Sequence, residues 1–294
     1  MDFDLNKLKK RSPYPIETIA VGLAFSPRIE AIIAEAKSLS DTLGSQLLLI
    51  HVKEKTKKKE KLLENIFFKI NIDRKKIKII WAEGDVVDTI LKLCKLNIVD
   101  LLVIGALERE NILKYYLGSI ARTISRKAKC SVLLLTNPSV TLKQKQKIIV
   151  HAITEHPKTV HTINTAIYFA KKFGITEISL VHEVHVPALS MTMSESSNAS
   201  EVSRIKKELL EEESNKLHSL ISKCDIGTMK IHENMIKGKP GYAIQQYAEN
   251  KKADLLVINS LDMHLTLLDR IFTHDIEYIL ADLSCNLLIV HSRV

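Results

Sequence analysis

The pentapeptide Asp-Leu-Leu-Val-Ile occurs twice, at Asp100–Ile104 and Asp254–Ile258, and it sits inside a longer repeat. Ile19–Pro27 resembles Ile148–His156 in pattern, a short apolar run that stops at a polar, helix-starting turn. Gln46–Val52 matches Glu177–Val184 with His51 opposite His182, Gly84–Ile90 matches Gly238–Ile244, and Cys130–Leu135 matches Cys285–Val290. The offset is 129 at the first pair and 154 or 155 at the last three, so the second copy carries about 25 extra residues between its second and third strands. A duplication of this kind fixes the architecture before any single residue is considered. The 294 residues are two related units.

Each unit reads as alternating strands and helices. In the first, strands fall near 18–24, 46–52, 77–82, 100–105 and 131–135. They are continuously apolar, the pattern of strands covered by helices on both faces. Pro27–Leu43 places Ile29, Ile32, Ile33, Ala36, Leu39 and Leu43 at helical spacing, and Gly44 is positioned to end that helix. Gly84–Leu96 and Ser119–Lys127 read as further helices. Strand–helix alternation implies right-handed crossovers and a parallel sheet. The expected fold class is therefore α/β: two tandem flavodoxin-like or Rossmann-like domains, each a five-stranded parallel sheet with helices on both faces. Ligands of such sheets bind beyond the carboxyl ends of the strands, where the strand order reverses.

The expected division is an N-terminal extension over 1–16, a first domain over 17–137, a linker over 138–146 within the polar Asn137–Lys145 stretch, and a second domain over 147–294. The surplus of the second copy, about 188–224, reads as a polar loop (Leu189–Ser200) and a helix over Glu201–Lys223 with Val202, Ile205, Leu209, Leu217 and Leu220 on one stripe.

Charge separates the halves as well. Residues 1–140 hold 25 basic and 16 acidic side chains, whereas residues 141–294 hold 18 of each, so the formal +9 lies wholly in the first half. Ten of eleven histidines lie in the second. No apolar run approaches the ~20 residues of a spanning helix, and the first residues, MDFDLNKLKKRS, lack an apolar signal core. Cys94, Cys130, Cys224 and Cys285 form no CxxC, against a disulfide framework or a zinc ribbon. The expectation is a cytoplasmic protein with no membrane span.

Two copies of a first strand ending in a polar turn, the "LLIHV" strand, "EGD" before "VDLLVIGA", and "GSIARTISRKAKCSVLLL" together resemble a tandem universal stress protein. The resemblance covers about 17–137 and 146–291 and implies the fold of the adenine-nucleotide hydrolase-like superfamily. Nucleotide-binding members carry G-x2-G-x9-G-[ST] after the fourth strand, whose glycines let backbone N–H groups approach phosphate at a helix N-terminus. Gly105, Gly118 and Ser119 keep three of the four positions, and Glu108 replaces the second glycine. A carboxylate there repels phosphate. The aspartate that the family places at the end of the first strand falls on Ala24. The resemblance thus implies, for ATP in the first domain, a site of Val52, Ile104, Gly105, Gly118, Ser119 and Ile120. In the second domain the same positions are Asn259, Asp262, Phe272 and Thr273, with Ile153 for the aspartate, and no nucleotide is expected there.

Other chemistry is sparse. His182-Glu-Val-His185 is spaced by three at a strand end, unlike the HExxH of a metalloprotease helix. No metal site is assigned; His156, His182 and His185 are the residues a metal would draw on, grouped with His151 and His161. His51 and His182, at matched strand positions, are expected to pack or make a local hydrogen bond. The basic run Lys53–Lys61 lacks interleaved aromatics, so it reads as a solvated helix face and specific nucleic-acid binding is not expected. No GxSxG elbow, GxxxxGK[ST] loop or Cys/His nucleophile pattern occurs, and no catalytic residue is assigned.

The resemblance implies a non-enzymatic stress-response protein: a pseudo-dimer of its two domains joined through their last strands, Ser131–Leu135 and Asn286–Val290, with a homodimer and an unidentified protein partner as its further assemblies. Two alternatives stay open. One is an ATP-binding switch using the first domain, with slow hydrolysis; the other is a metal-binding sensor built on second-domain histidines.

Overall fold

The computed structural model describes residues 13–74, 77–108, 115–139, 147–184, 199–260 and 277–291. In the first half the elements are β1 (Thr18–Gly22), α1 (Ile29–Leu43), β2 (Gln46–Val52), α2 (Lys57–Lys69), β3 (Ile77–Ala82), α3 (Val86–Leu96), β4 (Leu101–Gly105), the short pair β5 (Leu107–Glu108) and β6 (Tyr115–Tyr116), α4 (Ser119–Lys127) and β7 (Ser131–Leu135). The second half follows with β8 (Ile148–His151), α5 (Thr159–Lys172), β9 (Glu177–Val184), α6 (Ala199–Ile221), β10 (Lys230–Lys237), α7 (Tyr242–Asn250), β11 (Leu255–Asn259) and β12 (Asn286–Val290).

Ten of the strands form one sheet in the order β10-β9-β8-β11-β12-β7-β4-β1-β2-β3. Read from the middle outward, the two halves have the same order. Within each half every pairing is parallel, and the halves meet through the antiparallel pair β7–β12. Leu133 faces Leu288 across that joint, and Leu288 is Leu133's own counterpart in the repeat. A self-complementary contact of this kind is what a two-fold axis requires, so the pseudo-two-fold passes through this pair. The joint also removes the apolar edge each half would otherwise expose. The expectation that the last strands join the halves is met.

Two apolar layers cover the sheet. One gathers α1, α2 and α5 residues such as Ile33, Leu63, Ile66 and Ile163; the other gathers Ile90, Cys94, Ile124 and Ile244 from α3, α4 and α7. Both layers contain residues of both halves. Helix α1 begins at Ile29, two residues later than the sequence pattern suggests, and ends as expected at Gly44, whose φ of 71° is left-handed. The surplus of the second half falls between β9 and β10, where the 23-residue α6 replaces the 13-residue α2. The β5–β6 pair was not legible in the sequence. Most of the polar stretch 188–200 and most of the linker lie outside the described residues.

The repeated DLLVI begins with an aspartate for a structural reason. Asp100 Oδ2 accepts the Glu17 and Thr18 N–H groups at 2.9 Å each, and Asp254 Oδ2 accepts that of Lys147 at 3.1 Å. Each carboxylate ties the start of a fourth strand to the start of a first. Among the described residues no helix is long and apolar enough to cross a membrane.

Candidate functional site at the carboxyl edge

In the first half the strand order reverses between β1 and β4. The chain leaving β1 enters α1 on one face and the chain leaving β4 reaches α4 on the other, which opens the crevice where such sheets bind ligands. The six residues expected at a nucleotide stand around it. Val52 ends β2, Ile104 and Gly105 end β4, and Gly118 precedes Ser119 and Ile120 in the first turn of α4. Val52 is buried, while Ser119 and Ile120 are exposed.

Both glycines lie close to side chains of the chain itself. A Cβ on Gly105 would come within 2.6 Å of the Ile32 side chain, and one on Gly118 within 2.9 Å of Leu107. Both contacts are with the ends of flexible side chains, which can turn aside, so they do not by themselves require glycine at either position.

Arg28, just before α1, then crosses the crevice. Its guanidinium donates to the carbonyl of Ala106 at 3.0 Å and to that of Thr136, and lies over the Tyr115 ring at 5.3 Å. One side chain ties together the segments that follow β1, β4 and β7. The planar fork of arginine suits this bridging, and the ring face adds a cation–π contact.

A second cluster closes the ends of β1, β2 and β3. His51 packs edge-on against Phe25 and Trp81, with ring centroids at 4.7 and 5.3 Å. Its Nδ1 donates to the Leu23 carbonyl at 2.9 Å, and its Nε2 accepts from the Lys59 ammonium at 3.2 Å. Burial lowers its pKa below the usual histidine value; the Leu23 bond works against this, and Lys59 and Lys53 add to it.

The second half repeats the frame with different chemistry. His182 Nδ1 donates to the Ala152 carbonyl at 2.9 Å, as expected from its match to His51, but its Nε2 meets the Glu213 carboxylate at 2.8 Å. Burial acts to raise the Glu213 pKa, yet Lys216 and His182 outweigh it and hold the carboxyl below its ordinary value. On the other face of the sheet Glu183 meets His151 at 3.1 Å, with side chains 6% and 8% exposed. Glu183 also accepts the Gly241 N–H, at 3.0 Å to one oxygen, and the Ile244 N–H at 2.7 Å, capping α7. Burial again works upward on Glu183, and His151 with the two amides brings its pKa below the usual range. In the repeat, Glu183 stands where the first half has Val52, and His151 where it has Gly22.

The histidines considered as metal ligands are thus engaged separately. His156 Nδ1 accepts from the Lys158 N–H at 3.2 Å, and His182 is held by Glu213. His185, like Asp262, Phe272 and Thr273, lies outside the described residues. Among the described residues no three His, Cys, Asp or Glu side chains converge. A cavity of about 350 Å³ lies elsewhere, over the joint between halves, lined by residues including Glu35, Leu135, Phe173 and Asp254.

The family model for universal stress proteins matches residues 53–136 and again 146–291. The chain belongs to the universal stress protein family. Among solved structures, a universal stress protein from Archaeoglobus fulgidus DSM 4304 matches at 16% identity and a TM-score of 0.59, over 93% of this chain and 95% of that one. A functionally unknown protein from Pseudomonas aeruginosa PAO1 matches at 16% identity and 0.67, over 97% and 94%. These likenesses extend the tandem universal stress protein fold over nearly the whole chain. No curated protein matches its sequence.

Sequence reasoning about this universal stress protein missed Arg28, Phe25, Trp81, Glu183 and Glu213. Two of them left a signal. Trp81 is the chain's single tryptophan, and Glu183 is a carboxylate aligned by the repeat with an apolar Val52.

Proposed function

We propose that this tandem universal stress protein is a non-enzymatic, cytoplasmic stress-response protein that acts through binding surfaces rather than turnover. A homodimer and a protein partner belong to this reading. The observation that carries it is the Arg28 bridge, which occupies the first-half crevice by bonding the Ala106 and Thr136 carbonyls. In the second half Glu183 and His151, at the positions of Val52 and Gly22, form a buried pair. Arg28, Glu183 and His151 are thereby engaged with other groups of the chain rather than held free for proton transfer.

One feature favours a second reading, an ATP-binding switch in the first domain. The first turn of α4 has no side-chain cap, and Ser119 and Ile120 beside it are exposed, so its amides could serve an anion. Gly105, Gly118 and Ser119 would then face the phosphates, and Val52 and Ile104 the base.

Heat release of bound nucleotide from fresh protein, followed by titration with ATP and Mg²⁺, separates the two. The first reading expects no nucleotide and no titration. About one adenine nucleotide per chain would overturn it in favour of the switch.

A further inference from the structure

Helix α2 turns Leu63, Ile66 and Phe67 into the core. Its opposite face carries Lys58, Lys61, Asn65 and Phe68, at spacings of three, four and three residues. Phe68 is 89% exposed, and Leu62 beside this stripe is 42% exposed. Lys57 and Lys69 flank it, both exposed. Among the described residues Lys57, Lys58 and Lys61 have no ion pair, whereas Lys69 meets Glu30 at 3.0 Å and Arg74 meets Glu64 at 3.4 Å.

Lys59 bonds His51 and the Glu54 carbonyl, and Lys55 meets Glu60, but among the described residues Lys57, Lys58 and Lys61 have no such partner. Lys57, Lys58 and Lys59 occupy the first turn of α2, where the helix dipole disfavours cations. The segment Lys53–Lys61 holds six lysines against two glutamates, within the half that carries the whole net charge.

We propose that the outer face of α2 docks on the headgroup layer of an anionic bilayer. One protruding aromatic ring set among lysines suits a fluid surface that offers no shaped pocket. Phe68 would enter the boundary between headgroups and acyl chains, while Lys57, Lys58, Lys61 and Lys69 reach the lipid phosphates. A folded protein partner would need roughly 800 Å² of matched surface on each side, and Phe68 with Leu62 is too small an apolar centre for that. The inference is independent of whether the carboxyl edge binds a ligand.

Flotation of the full chain with vesicles tests it. Vesicles of phosphatidylcholine alone should not retain the protein, vesicles of equal phosphatidylcholine and phosphatidylglycerol should, and high salt should release it. Lys58→Gln with Lys61→Gln should weaken retention roughly thirtyfold at low salt, and Phe68→Ser roughly tenfold. A Phe68→Trp variant should shift its emission to the blue on anionic vesicles, a change that Trp81 alone should not show in the parent. These side chains are exposed, and circular dichroism on each variant confirms folding. No retention at low salt, or retention indifferent to both sets of substitutions, overturns the proposal. So does binding of an oligonucleotide or of polyglutamate without vesicle retention.

Discussion

His51 and His182 occupy the same position in the two halves, make the same Nδ1 bond to a strand-end carbonyl at 2.9 Å, and differ in what meets Nε2. Lys59 donates to the first ring and Glu213 accepts from the second. The Leu23 carbonyl can only accept and the Lys59 ammonium only donate, so the hydrogen bonds of His51 call for a proton on Nδ1 alone. Nitrogen-15 NMR of the imidazoles at neutral pH should show a neutral Nδ1–H ring for His51. An Nε2–H tautomer at His51 would contradict the assigned partners.

The same environment makes stability depend on pH. Burial depresses the His51 pKa, so below the ordinary value of about 6.5 the unfolded chain binds the proton that the fold refuses. The stabilisation is fully present above that pH and is lost as pH falls towards the folded value. Urea midpoints should therefore drop between neutral and mildly acidic pH, and His51→Gln should flatten that part of the curve. An unchanged slope in the variant would remove His51 as its source.

Glu183 is bonded to His151 and to two amides of α7. Glu183→Leu leaves a buried imidazole and two N–H groups without their acceptor, at an expected cost of about 3–5 kcal/mol. Because its folded pKa is lowered, its contribution is present above the ordinary carboxylate value and disappears as pH falls below it. A loss under about 1 kcal/mol in chemical denaturation would show the pair to be energetically idle.

Leu133 and Leu288 are 3% and 0% exposed and face each other at the joint. Alanine at either should cost about 3 kcal/mol by transfer and cavity formation. Pseudo-symmetry predicts similar single losses, and contact predicts that the double variant departs from their sum. Strict additivity in equilibrium unfolding would argue that the leucines do not share a cavity.

Arg28→Ala removes a bridge between three loops, and charged donors of this kind contribute about 1.5–3 kcal/mol. If the guanidinium is what fills the crevice, combining Arg28→Ala with Ala24→Asp and Glu108→Gly should create measurable ATP affinity in isothermal titration. No gain in that triple variant would mean that other contacts close the site.

What the sequence determined by itself is the tandem α/β architecture and its strands. Apolar runs such as Leu47–Ile50 and DLLVI are local signals repeated at fixed offsets, and β3 runs over 77–82 as expected. Gly44 ended its helix as expected, because a left-handed residue is a local requirement. The two identical aspartates were visible, but their role as tethers between first and fourth strands was not. Only the tertiary structure decided how Arg28 reaches Ala106, 78 residues away, and Thr136, 108 away. The same holds for Glu213, brought to His182 by α6, as Lys59 is brought to His51 by the shorter α2. Spacing records backbone periodicity, whereas the partner of a long polar side chain is set by which loops the sheet order carries to one edge. Two histidines that look alike in the repeat therefore end in opposite electrostatic company.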